Sequence, residues 1–425
     1  TIPPTKGREV VSSRCLAGLV QEFEARTPRS REVADRARRV LPGGETRSIT
    51  FYPPYPASIT KASGSVITDV DGNIYLDVLN NYTSLVHGHA FPPVVEVAKA
   101  AACEGVVYPA PHEAQLDLAE HLVARHPVAE QIRFTNSGTE ATLLAMRTAQ
   151  AVTGRDRFVL FEGGYHGSAP LISGPHPQVT RVPFNDAAAV KEALDDTVAA
   201  VFIELCLGVG GVIPAEREFV KQLRTMTQSV GALLVVDEVQ TFRASYGGAT
   251  EVYGLEADLV IMAKLIGGGY PTGALGGPAR LLRVLDQGTP GAIKHSGTFN
   301  GHLVSARAGL VALEHLTQSA IDQMNASASK LADGIEAAGR ANRFPTIVTR
   351  FGSMLHVHLQ ERQPNNAGQV LPDRTDVAAL HLALLLEGVF AAPRGLIALS
   401  SVLTADQADS VAAAYGRAFA RMTSD

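Results

Sequence analysis

Long apolar runs are missing from this 425-residue chain. Its apolar stretches are short and broken by Gly, Pro or charge, which excludes a transmembrane helix. Cysteine is scarce. Cys15, Cys103 and Cys206 are the only three and lie far apart, so neither a disulfide framework nor a zinc-type spacing is present. They read as reduced thiols of a cytoplasmic protein. No block of like charge occurs beyond short mixed stretches such as 31–39, and the formal net charge of −5 is small for this length. Nucleic acid and anionic membrane surfaces are therefore excluded as expected partners. The segment carrying Lys6, Arg8 and Glu9 has no apolar stretch of the signal-peptide kind. There is no internal repeat and no low-complexity tract.

What is present is ample core material. The chain is 46% hydrophobic and 19% charged, enough for two or three packed domains. Residues 14–40 predict a helix, stopped by Pro42-Gly43-Gly44. The proline-punctuated aromatic segment 51–56 predicts a loop. Residues 58–78 read as a hairpin around Asp71-Gly72-Asn73. From about residue 115, short apolar runs at 131–134, 157–161, 199–204, 232–237 and 258–263 alternate with helical stretches at 140–152, 187–195 and 216–230. That alternation predicts an α/β architecture with a mostly parallel sheet covered on both faces. Beyond residue 303 the pattern changes. A helical stretch (303–340), a strand (346–358), a polar loop (363–370), a helix (376–387), a strand (396–400) and a last helix (404–422) predict a separate α+β lobe.

In such a sheet, ligands bind beyond the carboxyl ends of the strands. The residues at those ends carry chemistry. Lys264 closes the run 259–263 and faces Gly267, Gly268 and Gly269. A lysine at the tip of a buried strand loses water and tends to lose its proton, which makes its amine nucleophilic. Asp237 closes the run 233–236, and a carboxylate there can hold a cationic ring nitrogen. Together the two suggest pyridoxal phosphate (PLP), which needs a lysine for its aldehyde and a carboxylate for its pyridine nitrogen. Along a strand, Asp237 and Val239 share a face while Glu238 points away. Asp237 and Glu238 are thus not an acid–base pair, and Glu238 is expected in a structural polar contact.

Ser137-Gly138-Thr139 lies between a strand and an Ala/Leu/Met-rich helix, where free N–H groups attract an anion such as a phosphate. Its other reading is an ordinary helix cap. Tyr165, in Gly164-Tyr165-His166-Gly167, is placed to stack on a flat cofactor or to sit in a plain turn. His166 reads as a loop histidine in a hydrogen bond. Ser296-Gly297-Thr298 repeats the hydroxyl chemistry or is a turn. His87 and His89 have metal-compatible spacing but no Cys or carboxylate companion, so no metal is expected. Gly208, Gly210 and Gly211 form no dinucleotide fingerprint. Arg47 and Arg394, the latter between Pro393 and Gly395, present planar forks suited to a carboxylate.

As an ordered set, Asn136-Ser137-Gly138-Thr139-Glu140-Ala141, Gly164-Tyr165-His166-Gly167, Asp237-Glu238-Val239, Lys264 with its glycines, and Gly297-Thr298-Phe299 resemble the class III aminotransferases. These are PLP-dependent enzymes of fold type I. The resemblance runs from about residue 30 to 420. It is greatest to the branch holding glutamate-1-semialdehyde aminomutase and the β-amino-acid (β-phenylalanine) aminotransferases. It implies a large PLP-binding domain over 75–302 with a mostly parallel seven-stranded sheet. It implies a smaller α+β domain from 1–74 and 303–425. Lys264 would carry the cofactor, Asp237 would pair with its ring nitrogen, and Ser137, Gly138 and Thr139 would hold its phosphate. Tyr165 and Val239 would sandwich the ring. Thr298 would reach the phosphate in the partner subunit, making a homodimer with shared sites. Arg47 and Arg394 resemble carboxylate-binding arginines of the β-phenylalanine enzymes, with Phe51, Tyr52 and Tyr55 as an apolar wall. The expected activity is a two-stroke (ping-pong) transfer from a β-amino or aromatic amino acid to a keto acid, 2-oxoglutarate or pyruvate. An aminomutase or racemase on the same lysine is the alternative, and a PLP-fold binding protein without turnover is the other class. One departure stands out: after Glu204 the family usually has Pro, and this chain has Leu205-Cys206.

Overall fold

The computed structural model describes residues 11–371 and 374–423. Lys6, Arg8 and Glu9 lie outside them. At the centre is a seven-stranded sheet in the order Gln131–Thr135, Gly273–Gly277, Leu259–Ala263, Leu233–Asp237, Val198–Ile203, Arg157–Phe161, Val179–Val182. Gly273–Gly277 runs antiparallel to both neighbours. The remaining pairs are parallel. Val198–Ile203, Leu233–Asp237 and Leu259–Ala263 are buried at every position, as strands covered on both faces must be. One face, through Phe158, packs on Leu144 and Met146. The other, through Phe161, packs on Phe219 and Leu223.

Two of these strands are not foreshadowed by hydrophobic pattern. Gly273–Gly277 is Gly-Ala-Leu-Gly-Gly, which carries too few side chains to show a period. Its glycine has a steric cause. A Cβ on Gly273 would lie 2.3 Å from the Ser137 carbonyl oxygen. Val179–Val182 is a four-residue edge strand, too short for alternation to register.

The chain ends meet in a second core. Leu19, Phe23, Tyr52, Tyr55, Leu331, Ile335, Leu382 and Phe419 belong to one buried cluster. Val389–Phe390 pairs with Ile74–Asp77, stitching the two ends together. Leu303 and Leu313, on the helix that opens at residue 303, instead join Val260 and Met262 under the central sheet.

Several expected single elements are pairs. The 14–40 helix is two, Ser13–Arg26 and Pro28–Arg38, because Pro28 has no N–H to continue the first and fits the first turn of the second. The 58–78 hairpin is a three-stranded meander, Ile59–Ser63, Val66–Asp69 and Ile74–Asp77. The 303–340 stretch breaks into Leu303–His315 and Gln318–Ala341, with Thr317 capping the second. The 346–358 strand is a hairpin, Ile347–Phe351 with Met354–His358, turned at Gly352 with φ +59°.

Candidate active site

The carboxyl ends of the parallel strands open into a cavity of about 330 Å³. Its lining includes Ser137, Gly138, Thr139, Tyr165, Asp237, Val239 and Lys264. Sequence separations of up to 127 residues thus collapse into one site.

Each group is held by local chemistry. Ser137 caps the helix Gly138–Thr153 and accepts the Glu140 N–H at 3.2 Å. The Glu140 carboxylate reaches back to the Asn136 N–H at 2.8 Å. This reciprocal capping box fixes the start of a 16-residue helix whose dipole faces the cavity. A Cβ on Gly138 would come within 3.1 Å of a Val239 methyl, so Val239 lies against the helix start.

Asp237 is buried, and its Oδ1 accepts the Val239 N–H at 3.0 Å. Its Oδ2 lies 2.8 Å from His166 Nδ1. Burial works against a charged His166, but the hydrogen bond and charge of Asp237 override it and raise the imidazole's pKa. Behind this pair sits Glu204, also buried. Its Oε2 accepts the Tyr165 N–H at 2.9 Å. Burial raises Glu204 to about 7, opposed by the His166 charge and reinforced by Asp237. Asp237 and His166 line the cavity, and Glu204 joins them in one electrostatic network of three titratable groups.

Lys264 adopts φ +56°, a left-handed turn that ends the strand and aims the chain at Gly268. Its Nζ donates to Thr83 Oγ1 at 3.2 Å. Burial lowers the amine's pKa to about 8, resisted by Glu204 and Asp237 and aided by Arg243 and Arg47. Near neutral pH a useful fraction of this amine is uncharged and nucleophilic.

As expected, Glu238 points away from the site. It accepts the Ala249 and Thr250 N–H groups at 2.9 and 2.7 Å and two threonine hydroxyls at 2.7 Å. The histidines are structural too. His87 bonds Ser401 and the Ala312 carbonyl, and His89 pairs with Asp77.

The matched family model is the class-III aminotransferase, over residues 51–414. The chain belongs to this family. It is 36% identical to glutamate-1-semialdehyde 2,1-aminomutase of Methanopyrus kandleri, over 94% of this chain and 99% of that relative. The crystal structure of a β-phenylalanine aminotransferase from Variovorax paradoxus superposes with a TM-score of 0.91 at 32% identity, covering 95% and 96% of the two chains. A transaminase with PLP bound superposes at 0.87 and 31% identity, covering 93% and 98%. The fold is therefore fold type I, and the chain is a PLP-dependent transaminase. The cavity fits that cofactor by its donor set. A low-pKa lysine suits an aldehyde, a buried carboxylate suits a pyridinium, and a capped helix start with two hydroxyls suits a phosphate.

The remaining expected residues are more scattered. Arg47 and Arg394 are exposed and do not line the cavity. The charges of both nevertheless act on Tyr82. Burial raises the Tyr82 phenol's pKa, and Arg47 and then Arg394 pull it back. The Arg47 guanidinium lies 5.8 Å from the Tyr82 ring centre and donates to Asn81 at 2.9 Å, and Asn81 lines the cavity. Thr298 is exposed and outside this chain's cavity. A Cβ on the adjacent Gly297 would lie 3.1 Å from Asn136 Nδ2, so the 297–298 turn flanks the 136–139 loop.

The aromatic wall needs correction. Tyr52 and Tyr55 are buried in the core of the chain ends, each packed on Phe23. Only Phe51 of the three is exposed. A proline-rich aromatic run shows that a loop is present but not which way its rings point. Sequence reasoning missed Tyr82, Thr83 and the Glu204–His166–Asp237 network. The Asn80–Thr83 turn has four consecutive non-glycine residues with φ of 50°, 48°, 56° and 77°; Asn80 and Asn81 tolerate that region, but nothing in Tyr82 or Thr83 announces it. Leu205 and Cys206 are fully buried, and Cys206–Leu207 starts a two-stranded hairpin with Ile213–Pro214.

Proposed function

We propose that the chain moves an amino group from a β-amino acid or an aromatic amino acid to a keto acid, 2-oxoglutarate or pyruvate. The observation that carries this reading is the seat of Arg47, 5.8 Å from the Tyr82 ring centre and hydrogen-bonded to Asn81, which lines the Lys264 cavity. One cation beside an aromatic ring, with the charge of a second acting on the same phenol, suits a donor that bears a carboxylate some distance from its reacting amine. The same pair serves a keto-acid acceptor in the second stroke.

Within this reading, Lys264 carries the cofactor through its amine and moves the proton at the donor's amino-bearing carbon. Asp237, steadied by His166, holds negative charge toward the ring nitrogen. Ser137, Gly138 and Thr139 hold the phosphate, and Val239 and Tyr165 flank the ring. Bound PLP supplies an aldehyde for the donor and a ring that draws electrons from the reacting carbon. Thr298 serves the phosphate of a second subunit, so the working form is a homodimer with shared sites. Likeness to a β-phenylalanine aminotransferase supports the donor class.

The second reading is an aminomutase, favoured by the 36% identity to glutamate-1-semialdehyde 2,1-aminomutase. Its amine would stay on one carbon skeleton, with no keto acid consumed. A donor panel separates the two: both enantiomers of β-phenylalanine, aromatic α-amino acids, simple amines and glutamate-1-semialdehyde, each with and without 2-oxoglutarate or pyruvate. Keto-acid-dependent product from β-phenylalanine is the expected result. Isomerisation of the semialdehyde without keto acid, and nothing from the β-amino acids, overturns the proposal.

A further inference from the structure

Arg243 is the largest fully buried side chain in the molecule's described residues. Among those residues it makes no ion pair, and burial alone lowers its pKa to about 10. A buried cation without a counter-charge is costly and persists only where its hydrogen bonds matter. Its bonds go to three separate segments. Nε donates to Ser353 Oγ at 2.9 Å, in the turn of the Ile347–His358 hairpin. Nη2 donates to the Leu399 carbonyl, just past strand Leu396–Ala398, and touches Met324 Sδ at 3.8 Å. Nη1 reaches the Thr83 carbonyl at 3.5 Å.

Two of those segments lead to the site. Thr83 is the residue whose hydroxyl accepts from Lys264, and it ends the left-handed turn 80–83. Such a turn is strained and holds only when neighbours over-determine it. The strand before Leu399 begins two residues after Arg394. Arg243 itself stands six residues past Asp237, at the end of the short helix Thr241–Arg243. One stretch of chain thus carries a cofactor-facing carboxylate at one end and a three-way clamp at the other.

We propose that Arg243 is a positioning residue for the transamination, clamping the Thr83 turn to the segment that carries Arg394, so that the Lys264 amine and the carboxylate reader keep one spacing. It touches neither cofactor nor substrate. The proposal rests on the function proposed above.

The test uses full-length Arg243→Met and Arg243→Lys. Amide hydrogen exchange in the cofactor-free protein is read over 79–85 and 396–403, with 233–237 as internal control. Steady-state kinetics of the loaded enzyme are read with a carboxylate-bearing donor and with a simple amine. Loss of the clamp should speed exchange in the two named segments but not in the control. Displacement of Thr83 should lower kcat for both donors, by about tenfold, the scale of a sub-ångström misplacement. KM should rise only for the carboxylate donor. Arg243→Lys, which keeps the charge but loses the fork, should show the same KM split with a smaller loss in kcat. If Arg243→Met does not fold, Arg243→Lys decides. Exchange rising evenly across the chain, or kcat and KM both within twofold of wild type in a folded variant, overturns the proposal. If the wild-type protein turns over no donor, the function fails, and the exchange arm still judges the clamp.

Discussion

Two parts of the site contrast sharply. The proposed cofactor floor is made of strand ends: Asp237 closes its strand, and Lys264 and the Ser137–Thr139 cap follow strands of the same sheet. The proposed substrate rim is made of loops from distant parts of the chain, with Arg47 before the 51–56 loop, Tyr82 in a left-handed turn and Arg394 ahead of a short strand. Floor residues are positioned by packing that a sheet cannot change without breaking. Rim residues are positioned by single contacts such as Arg47 to Asn81. Substitutions in the floor should therefore abolish chemistry, and those in the rim should change which molecule is accepted.

The largest effect belongs to Lys264. Lys264→Ala removes the amine proposed to carry the cofactor and move the proton, and turnover should fall by about 10⁴-fold or more. Loss of the cofactor's lysine-bound absorbance and single-turnover rates check it. Residual turnover within tenfold of wild type would break the contrast, because the floor would then be dispensable.

Next is Asp237. Asp237→Asn keeps the shape and the bond to Val239 but loses the charge that His166 steadies. kcat should fall about 10²- to 10³-fold, while thermal stability changes little. A large loss of stability with unchanged kcat in the surviving folded fraction would make Asp237 structural rather than chemical.

How much of this was legible is decided by the same contrast. A run such as Leu233-Leu234-Val235-Val236 reveals a buried strand because every position is apolar, and the polar residue that ends it is then marked by its place. Lys264, Asp237 and the Ser137 cap are legible for that reason. The Tyr82 turn is not, because its φ values are held by tertiary contacts such as the Tyr82 hydroxyl on the Ile49 carbonyl, 33 residues away. Tyr52 and Tyr55 misled for a related reason: aromatic residues in a loop are as much at home in a core as in a pocket, and composition does not choose. His166 lay in a motif noted from sequence, but its pairing with Asp237 is a distance, and spacing of 71 residues carries none.

The rim prediction is smaller and selective. Arg394→Ala should raise KM for carboxylate-bearing donors about 10- to 100-fold, the scale of losing one charge-assisted hydrogen-bond pair. Simple amines should be unaffected. Arg47→Ala should do the same and also free Asn81. Equal losses for both donor types would place the arginines in the floor's category and erase the distinction between the two regions.

The smallest effect lies behind the floor, in Glu204. Its folded pKa of about 7 stands above its ordinary 4.5, so between those values the folded state binds more protons than the unfolded one. Stability from this group is fully present below about 4.5 and is lost as pH rises through about 7. Glu204→Gln keeps an acceptor for the Tyr165 N–H and removes the titration. The wild-type Tm relative to that of the variant should therefore fall as pH goes from 4.5 to 7.5, by about 2 °C in a chain of this size. The buried histidines His87 and His358, lowered by burial to about 4 each, impose an opposite slope on both proteins and cancel in the difference. A difference that stays flat with pH means Glu204 remains a carboxylate throughout. The charge behind Asp237 would then be doubled, and His166 alone would have to balance it.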